Sequence, residues 1–181
     1  TVAERMDDAP IPLPPVSEWP ALDPQDYDYR PVTVTGRFAA DDSLLVFTSL
    51  ADPKGEHGGP GYWVMTPIAV EGGGYIFVNW GFIQEQRRTD WWAYEPVNPD
   101  AGVLTLAGFA RRAEEASIFT PAPNGADRMD WIRNPGRLAT MAGIDGPVAP
   151  IYLDLPAGAA GTLPQGGETV FEFPNNHLGY A

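Results

Sequence analysis

Two histidines, His57 and His177, are the side chains of this 181-residue sequence best suited to acid–base or ligand chemistry near neutral pH. A zinc centre built from histidine and cysteine needs more ligands than these, and cysteine is absent. That absence also excludes a disulfide framework, a thiolate site and a cysteine nucleophile. No ordered Asp/Asn/Gly loop of the kind calcium wants is present. Ser43, Ser49 and Ser117 lie in no nucleophile elbow, so a hydrolase triad has no support. His57 belongs to the loop Lys54-Gly55-Glu56-His57-Gly58-Gly59-Pro60-Gly61, which lacks the order of a phosphate cradle. An exposed loop histidine is the favoured reading there, because an acid or base needs a positioned partner.

His177 differs by its place. It follows Pro174-Asn175-Asn176 and precedes Leu178-Gly179-Tyr180-Ala181, so asparagine can cap a helix whose first turn holds the histidine. Two readings stand: a helix-start histidine bonded within its own domain, or, if that helix enters a membrane, a ligand at the interface. Arg87-Arg88 and Arg111-Arg112 are the basic doublets. Pairing with surface acids such as Asp90, Glu114 and Glu115 is the favoured reading, and a carboxylate clamp is the other. Trp91-Trp92 would face opposite ways on a strand, so one of them is expected outside the core, as an interaction or membrane-interface candidate. Trp63, Trp80, Trp131, Tyr62, Tyr75 and Tyr94 are read chiefly as core or cross-strand aromatics.

The elements that must position these residues are mostly strands. Seven prolines between positions 9 and 31 predict an extended lead-in over 1–28, with a short turn near Asp23 to Tyr27 and with Ile11, Leu13, Val16 and Trp19 lying along the body. Strands are expected at Tyr29 to Phe38, Ser43 to Leu50, Tyr62 to Val70, Tyr75 to Ile83, Gly102 to Ala110, Val148 to Leu155 and Glu168 to Phe173. Ala39-Ala40-Asp41-Asp42 reads as a hairpin turn between the first two, and Glu71-Gly72-Gly73-Gly74 as the turn of a second hairpin. One helix is well punctuated: Asn134 as cap, Pro135 at the first position and Gly143 at the stop. The expectation is a single, mainly β domain over 1–181, with residues 29–181 forming an antiparallel β-barrel or sandwich carrying one or two short helices.

The formal net charge is −13, from 24 acids against 11 bases, which repels phosphate backbones and makes nucleic acid an unsuitable partner. The acids are scattered and read as solubility rather than as catalytic dyads. No apolar run is long enough to span a bilayer, and the first residues, Thr1-Val2-Ala3-Glu4-Arg5, do not read as a signal peptide. The abrupt ends suggest a piece of a larger membrane protein.

Several segments together resemble the surfeit-locus-one family of cytochrome c oxidase assembly factors. They are Tyr29 to Phe38, Gly59 to Ile68, Val78-Asn79-Trp80-Gly81-Phe82-Ile83, Asp130-Trp131-Ile132-Arg133-Asn134 with Met141-Ala142, and Pro174 to Ala181, in the family's order. The resemblance implies a domain between two membrane helices, both lying outside this sequence, on the periplasmic side of a bacterial plasma membrane. It further implies a non-enzymatic chaperone role, aiding delivery or insertion of haem a into oxidase subunit I, with that subunit and other assembly factors as partners. His177, in the Asn175-Asn176-His177 motif, becomes the candidate haem ligand. A haem propionate is then a natural carboxylate for an arginine doublet. A scaffold that docks the oxidase without holding haem is the alternative, with Trp91, Trp92, Arg87 and Arg88 as its surface. The chain departs from the family at Trp80 and Phe82, where arginine and tryptophan are usual.

Overall fold

A computed structural model of the chain describes residues 1–39, 42–90, 102–156, 164–165 and 167–168. The expected strand beginning at Glu168, together with Trp91, Trp92 and His177, lies outside them apart from Glu168 itself.

The lead-in is more structured than its prolines suggest. Helix α1 (Val2–Met6) carries a capping box in which Thr1 and Glu4 satisfy each other's backbone N–H groups. Strand β1 (Ile11–Pro12) pairs with Val32 and Thr33, a 3-10 helix covers Val16–Ala21, and α2 (Pro24–Tyr27) starts on an Asp23 cap where a turn was expected. Trp19 is buried, and its indole N–H donates to the Pro14 carbonyl at 2.8 Å. Ile11, Leu13 and Val16 pack on the same core, as their apolar character predicted.

Strands β2 (Pro31–Phe38), β3 (Leu44–Leu50), β4 (Gly59–Val70), β5 (Tyr75–Gln84), β6 (Leu104–Arg112), β7 (Met129–Asp130) and β8 (Ile151–Asp154) complete a sheet in the order β1-β2-β6-β8-β5-β4-β3-β7. The mainly β expectation holds, but the antiparallel barrel or sandwich is corrected to a mixed eight-stranded sheet. Pairs β1–β2, β5–β8 and β3–β7 are parallel. Their short members are reached by long excursions of the chain rather than by hairpins, which is the connection parallel pairing requires. The β2–β4 pairing curls the sheet, but it covers only Gly36, Arg37 and Phe38 against Val70, Ala69 and Ile68 and does not make a closed barrel.

The β4–β5 hairpin forms as read, with Gly72 and Gly73 at positive φ and Val70 N–H bonded to Gly74 O. The first expected hairpin does not form. One edge of the long β4 takes β3 along Gly59 to Met65 and the end of β2 along Ile68 to Val70, so β2 and β3 lie end to end on a shared neighbour.

Strands β4 and β5 are buried on both faces, which is why they read as continuous apolar runs rather than alternations. Tyr62, Val64, Ile76, Val78 and Trp80 face the larger core inside the curl. Trp63, Met65, Phe77 and Phe82 face a second core, closed by Leu138 and Ala139 of helix α3 (Pro135–Ala142). Asn134 caps that helix by accepting the Arg137 N–H, and Gly143 ends it in the left-handed region. No helix among the described residues is long and apolar enough to cross a membrane.

Candidate functional site

The polar centre of the domain lies where β5, β6 and β8 meet. Parallel register sets Asn79 against Asp154, and antiparallel register sets Arg111 against Tyr152. Asn79 is buried; its Nδ2 donates to Asp154 Oδ1 at 3.1 Å, and its Oδ1 accepts the Gly81 N–H at 3.1 Å. That second bond spans a bulge: Val64 pairs with Gly81 and Met65 with Asn79, so Trp80 is the extra residue of β5 at that register shift. The extra residue reverses the side-chain alternation, so Trp80 and Phe82 enter opposite cores. Trp80 stacks on Phe38 at 5.1 Å, and Phe82 meets Trp63 edge-on at 6.1 Å. The two residues at which the chain departs from the family pattern thus fill separate cores, each against its own aromatic partner.

Arg111 gathers the lead-in onto this centre. It donates from Nε to Asp28 at 3.2 Å, from Nη1 to Asp154 at 3.3 Å and from Nη2 to the Tyr29 hydroxyl at 3.1 Å, while its guanidinium lies 4.2 Å from the Tyr29 ring centroid. Tyr29 holds a positive φ of 68°, and its N–H is spent on Ala110 O at 2.7 Å, so the side chain is delivered by the backbone rather than by strand alternation. Burial weakens the charged form of Arg111, and Tyr152, Asp154, Tyr29 and Asp28 more than offset it.

A second node completes the wall. Arg133 grips Glu114 through Nε at 3.1 Å and Nη2 at 3.2 Å, a forked pair, and its guanidinium carbon lies 5.4 Å from the Trp63 centroid and 5.7 Å from that of Tyr152. Its Nη1 is buried without a hydrogen-bond partner among the described residues, and those ring faces are its electrostatic counterpart. Burial alone would raise the Glu114 pKa, but hydrogen bonds and charge from Arg133 hold it below the ordinary value. Burial pushes the Tyr152 hydroxyl strongly up, against the opposing charge of Arg133, so it stays neutral. Asp130, fully buried, binds Arg137 through Nε at 3.0 Å and through Nη2.

Beside these nodes opens a cleft of about 800 Å³, walled by Arg111, Arg112, Arg133, Tyr152, Pro150 and the start of α3. Arg112 is the more accessible guanidinium at its rim, 3.6 Å from Asp28. The cleft can receive a carboxylate at Arg112 and apolar surface along Val148 and Pro150.

Of the residues singled out in the sequence, Arg87 pairs with Asp90 as expected, and Arg88 pairs with Asp127 while lying 5.9 Å from the Tyr62 centroid. Arg111 and Arg112 take Asp28 and Asp154 in place of the expected Glu114 and Glu115. His57 is half-buried rather than exposed, its N–H and carbonyl clamped by the Gln165 side-chain amide. Trp63 and Trp80 are core, and Trp131 is 38% exposed. Among the described residues no cluster of three or more His, Asp or Glu side chains could hold a metal ion. Asn79, Glu114, Tyr152 and Asp154 were missed as a group. Asn79 and Arg133 stood in the quoted motifs, but nothing local to Asp154 marks it as buried, and nothing local to Glu114 marks Arg133 as its partner.

A curled mixed sheet with paired charges beneath its surface and an arginine-rimmed cleft defines a mainly β domain. The chain belongs to the SURF1 family, whose sequence model matches residues 1–181, as the ordered motifs led one to expect. It is similar to a SURF1-like protein of Monosiga brevicollis, 29% identical over 166 residues covering 84% of this chain and 59% of that protein. Uncharacterized SURF1-like proteins of Mycobacterium bovis and Mycobacterium tuberculosis are each 26% identical over 153 residues, covering 83% of this chain and 52% of theirs. The chain thus spans between half and three-fifths of the length of the curated relatives it matches.

Proposed function

We propose that this chain is the water-exposed part of an assembly factor for haem-copper cytochrome c oxidase, aiding delivery or insertion of haem a into subunit I without catalysing a reaction. The observation that carries the reading is the family match along the whole chain, which includes Asn175-Asn176-His177. Haem would be held by axial ligation from the neutral His177 imidazole near a membrane surface, and the iron and its ring supply the chemistry. A propionate would meet Arg112, 56% exposed, in competition with Asp28 at 3.6 Å, because Arg111 and Arg133 are only 19% and 15% exposed. The domain would stand on the periplasmic side of a bacterial plasma membrane, with flanking helices as its anchor.

The test is spectral. The full-length form, produced together with a source of haem a, is expected to show a bound-haem spectrum that His177→Ala weakens. Equal binding by the variant removes His177 from the role.

A scaffold that docks the oxidase without holding haem is the second reading, favoured by the large apolar side chains that the domain turns outward, Ile118 and Phe119. Capture of oxidase subunit I that persists in a haem-free strain supports it over haem carriage.

A further inference from the structure

Between Arg112 and Arg128 the chain leaves the sheet in a long loop that carries two adjacent, highly exposed apolar residues. Ile118 is 92% exposed and Phe119 85% exposed. These values differ in kind from scattered surface leucines or valines, because two large side chains stand side by side with almost none of their surface covered.

Their exposure is built in. Ser117 N–H donates to Thr120 Oγ1 at 2.9 Å, Phe119 N–H to Ser117 Oγ at 3.1 Å, and Thr120 N–H to Ser117 O at 3.1 Å. Serine and threonine hydroxyls thus close a turn with the two apolar residues at its tip. The base of the loop is fastened as well: Glu114 N–H donates to Arg133 O at 3.0 Å, and Arg137 Nη2 donates to Pro121 O at 3.0 Å. Pro121 and Pro123 stiffen the return. A turn fixed in this way has already lost much of the freedom that docking would otherwise remove.

Charge selects among the surfaces that could cover it. From 113 to 127 the ionisable residues are Glu114, Glu115 and Asp127, all acidic, in a chain of net charge −13. Glu114 and Asp127 are paired with Arg133 and Arg88; Glu115 is exposed and has no ion pair among the described residues. An interfacial membrane anchor joins apolar residues to lysine and arginine that meet anionic lipid, and this loop has the opposite sign. A protein pocket with an apolar floor and basic rim matches both the side chains and the charge.

We infer that the Ile118–Phe119 turn is a docking knob that inserts into an apolar, basic-rimmed pocket of a protein partner. This goes beyond the assembly reading and holds whether or not the protein carries haem.

The experiment places a photo-reactive phenylalanine analogue at position 119 of the full-length protein and illuminates it in membranes containing the assembling oxidase. Adducts are identified by mass spectrometry. The expected result is one discrete protein adduct mapping to an apolar site flanked by Lys or Arg. The Ile118→Ser, Phe119→Ser double variant should then lose co-purification of that protein about tenfold or more, with its unfolding midpoint unchanged. Adducts to lipid alone, to a second copy or another part of this chain alone, or no adduct at all would overturn the knob, as would undiminished co-purification by the double variant. If the adduct is to a protein outside the oxidase and its assembly factors, the knob stands and the assembly reading falls. If the adduct is to subunit I and His177→Ala leaves haem binding intact, the knob stands and only the ligand assignment falls.

Discussion

Asn79 and Asp154 face each other across the parallel strands β5 and β8 and are joined by a 3.1 Å hydrogen bond. Asp154 is 1% exposed, so its charge depends on this amide and on Arg111 for what water would have supplied. The same asparagine clips the Trp80 bulge through Gly81, so one side chain ties the strand irregularity to the buried charge.

Arg111→Met removes the cation shared by Asp28 and Asp154, which are 13% and 1% exposed. Two carboxylates are left short of a partner, and breaking a buried pair from one side costs about 3–5 kcal/mol. Urea unfolding at neutral pH should show that loss. A change below about 1 kcal/mol would mean that Asp28 and Asp154 are hydrated in solution.

Asn79→Ala takes a hydrogen bond from Asp154 and another from the Gly81 N–H. The expected destabilisation is about 1–3 kcal/mol, the range for leaving buried polar groups unsatisfied. Amide exchange offers the local check: the Gly81 proton should exchange faster in the variant, and an unchanged rate contradicts the clip.

Glu114 titrates below its ordinary value of 4.5 because Arg133 outweighs the opposing effect of burial. A depressed folded pKa contributes stability that is fully present above 4.5 and is lost as pH falls through the folded value. Glu114→Gln should therefore be less stable than the unaltered protein at neutral pH, with the gap narrowing as the solution is acidified below 4.5. Parallel urea titrations along that pH range measure it; a gap independent of pH speaks against the Arg133 pairing. The carboxylate is 42% exposed, so the effect is expected to be modest and salt-sensitive.

Trp19→Ala tests whether the proline-rich lead-in belongs to the core. Trp19 is 4% exposed, and a side chain at Gly74 would strike its ring at 2.6 Å, so the β4–β5 turn closes directly over it. The substitution should cost about 3–5 kcal/mol. Retention of full stability would show that the Trp19 ring adds nothing to the core it is buried in.

What the sequence determined by itself was the local and the ordered: the strand runs with their apolar content, the triglycine turn, the Asn134 cap with its Gly143 stop, and a motif order specific enough to name the family. These are legible because a turn, a cap or a run depends on residues within a few positions of one another. Tertiary structure alone decided that β4 hosts β2 and β3 on one edge, that Arg111 reaches 83 residues back to Asp28 and 43 forward to Asp154, and that Glu114 meets Arg133. It also decided that Ile118 and Phe119, which by type alone would be placed in a core, stand in water. Burial and charge pairing are set by which segments the curled sheet brings together, and neither the pairing of strands distant in sequence nor the face a bulge reverses is written in local spacing.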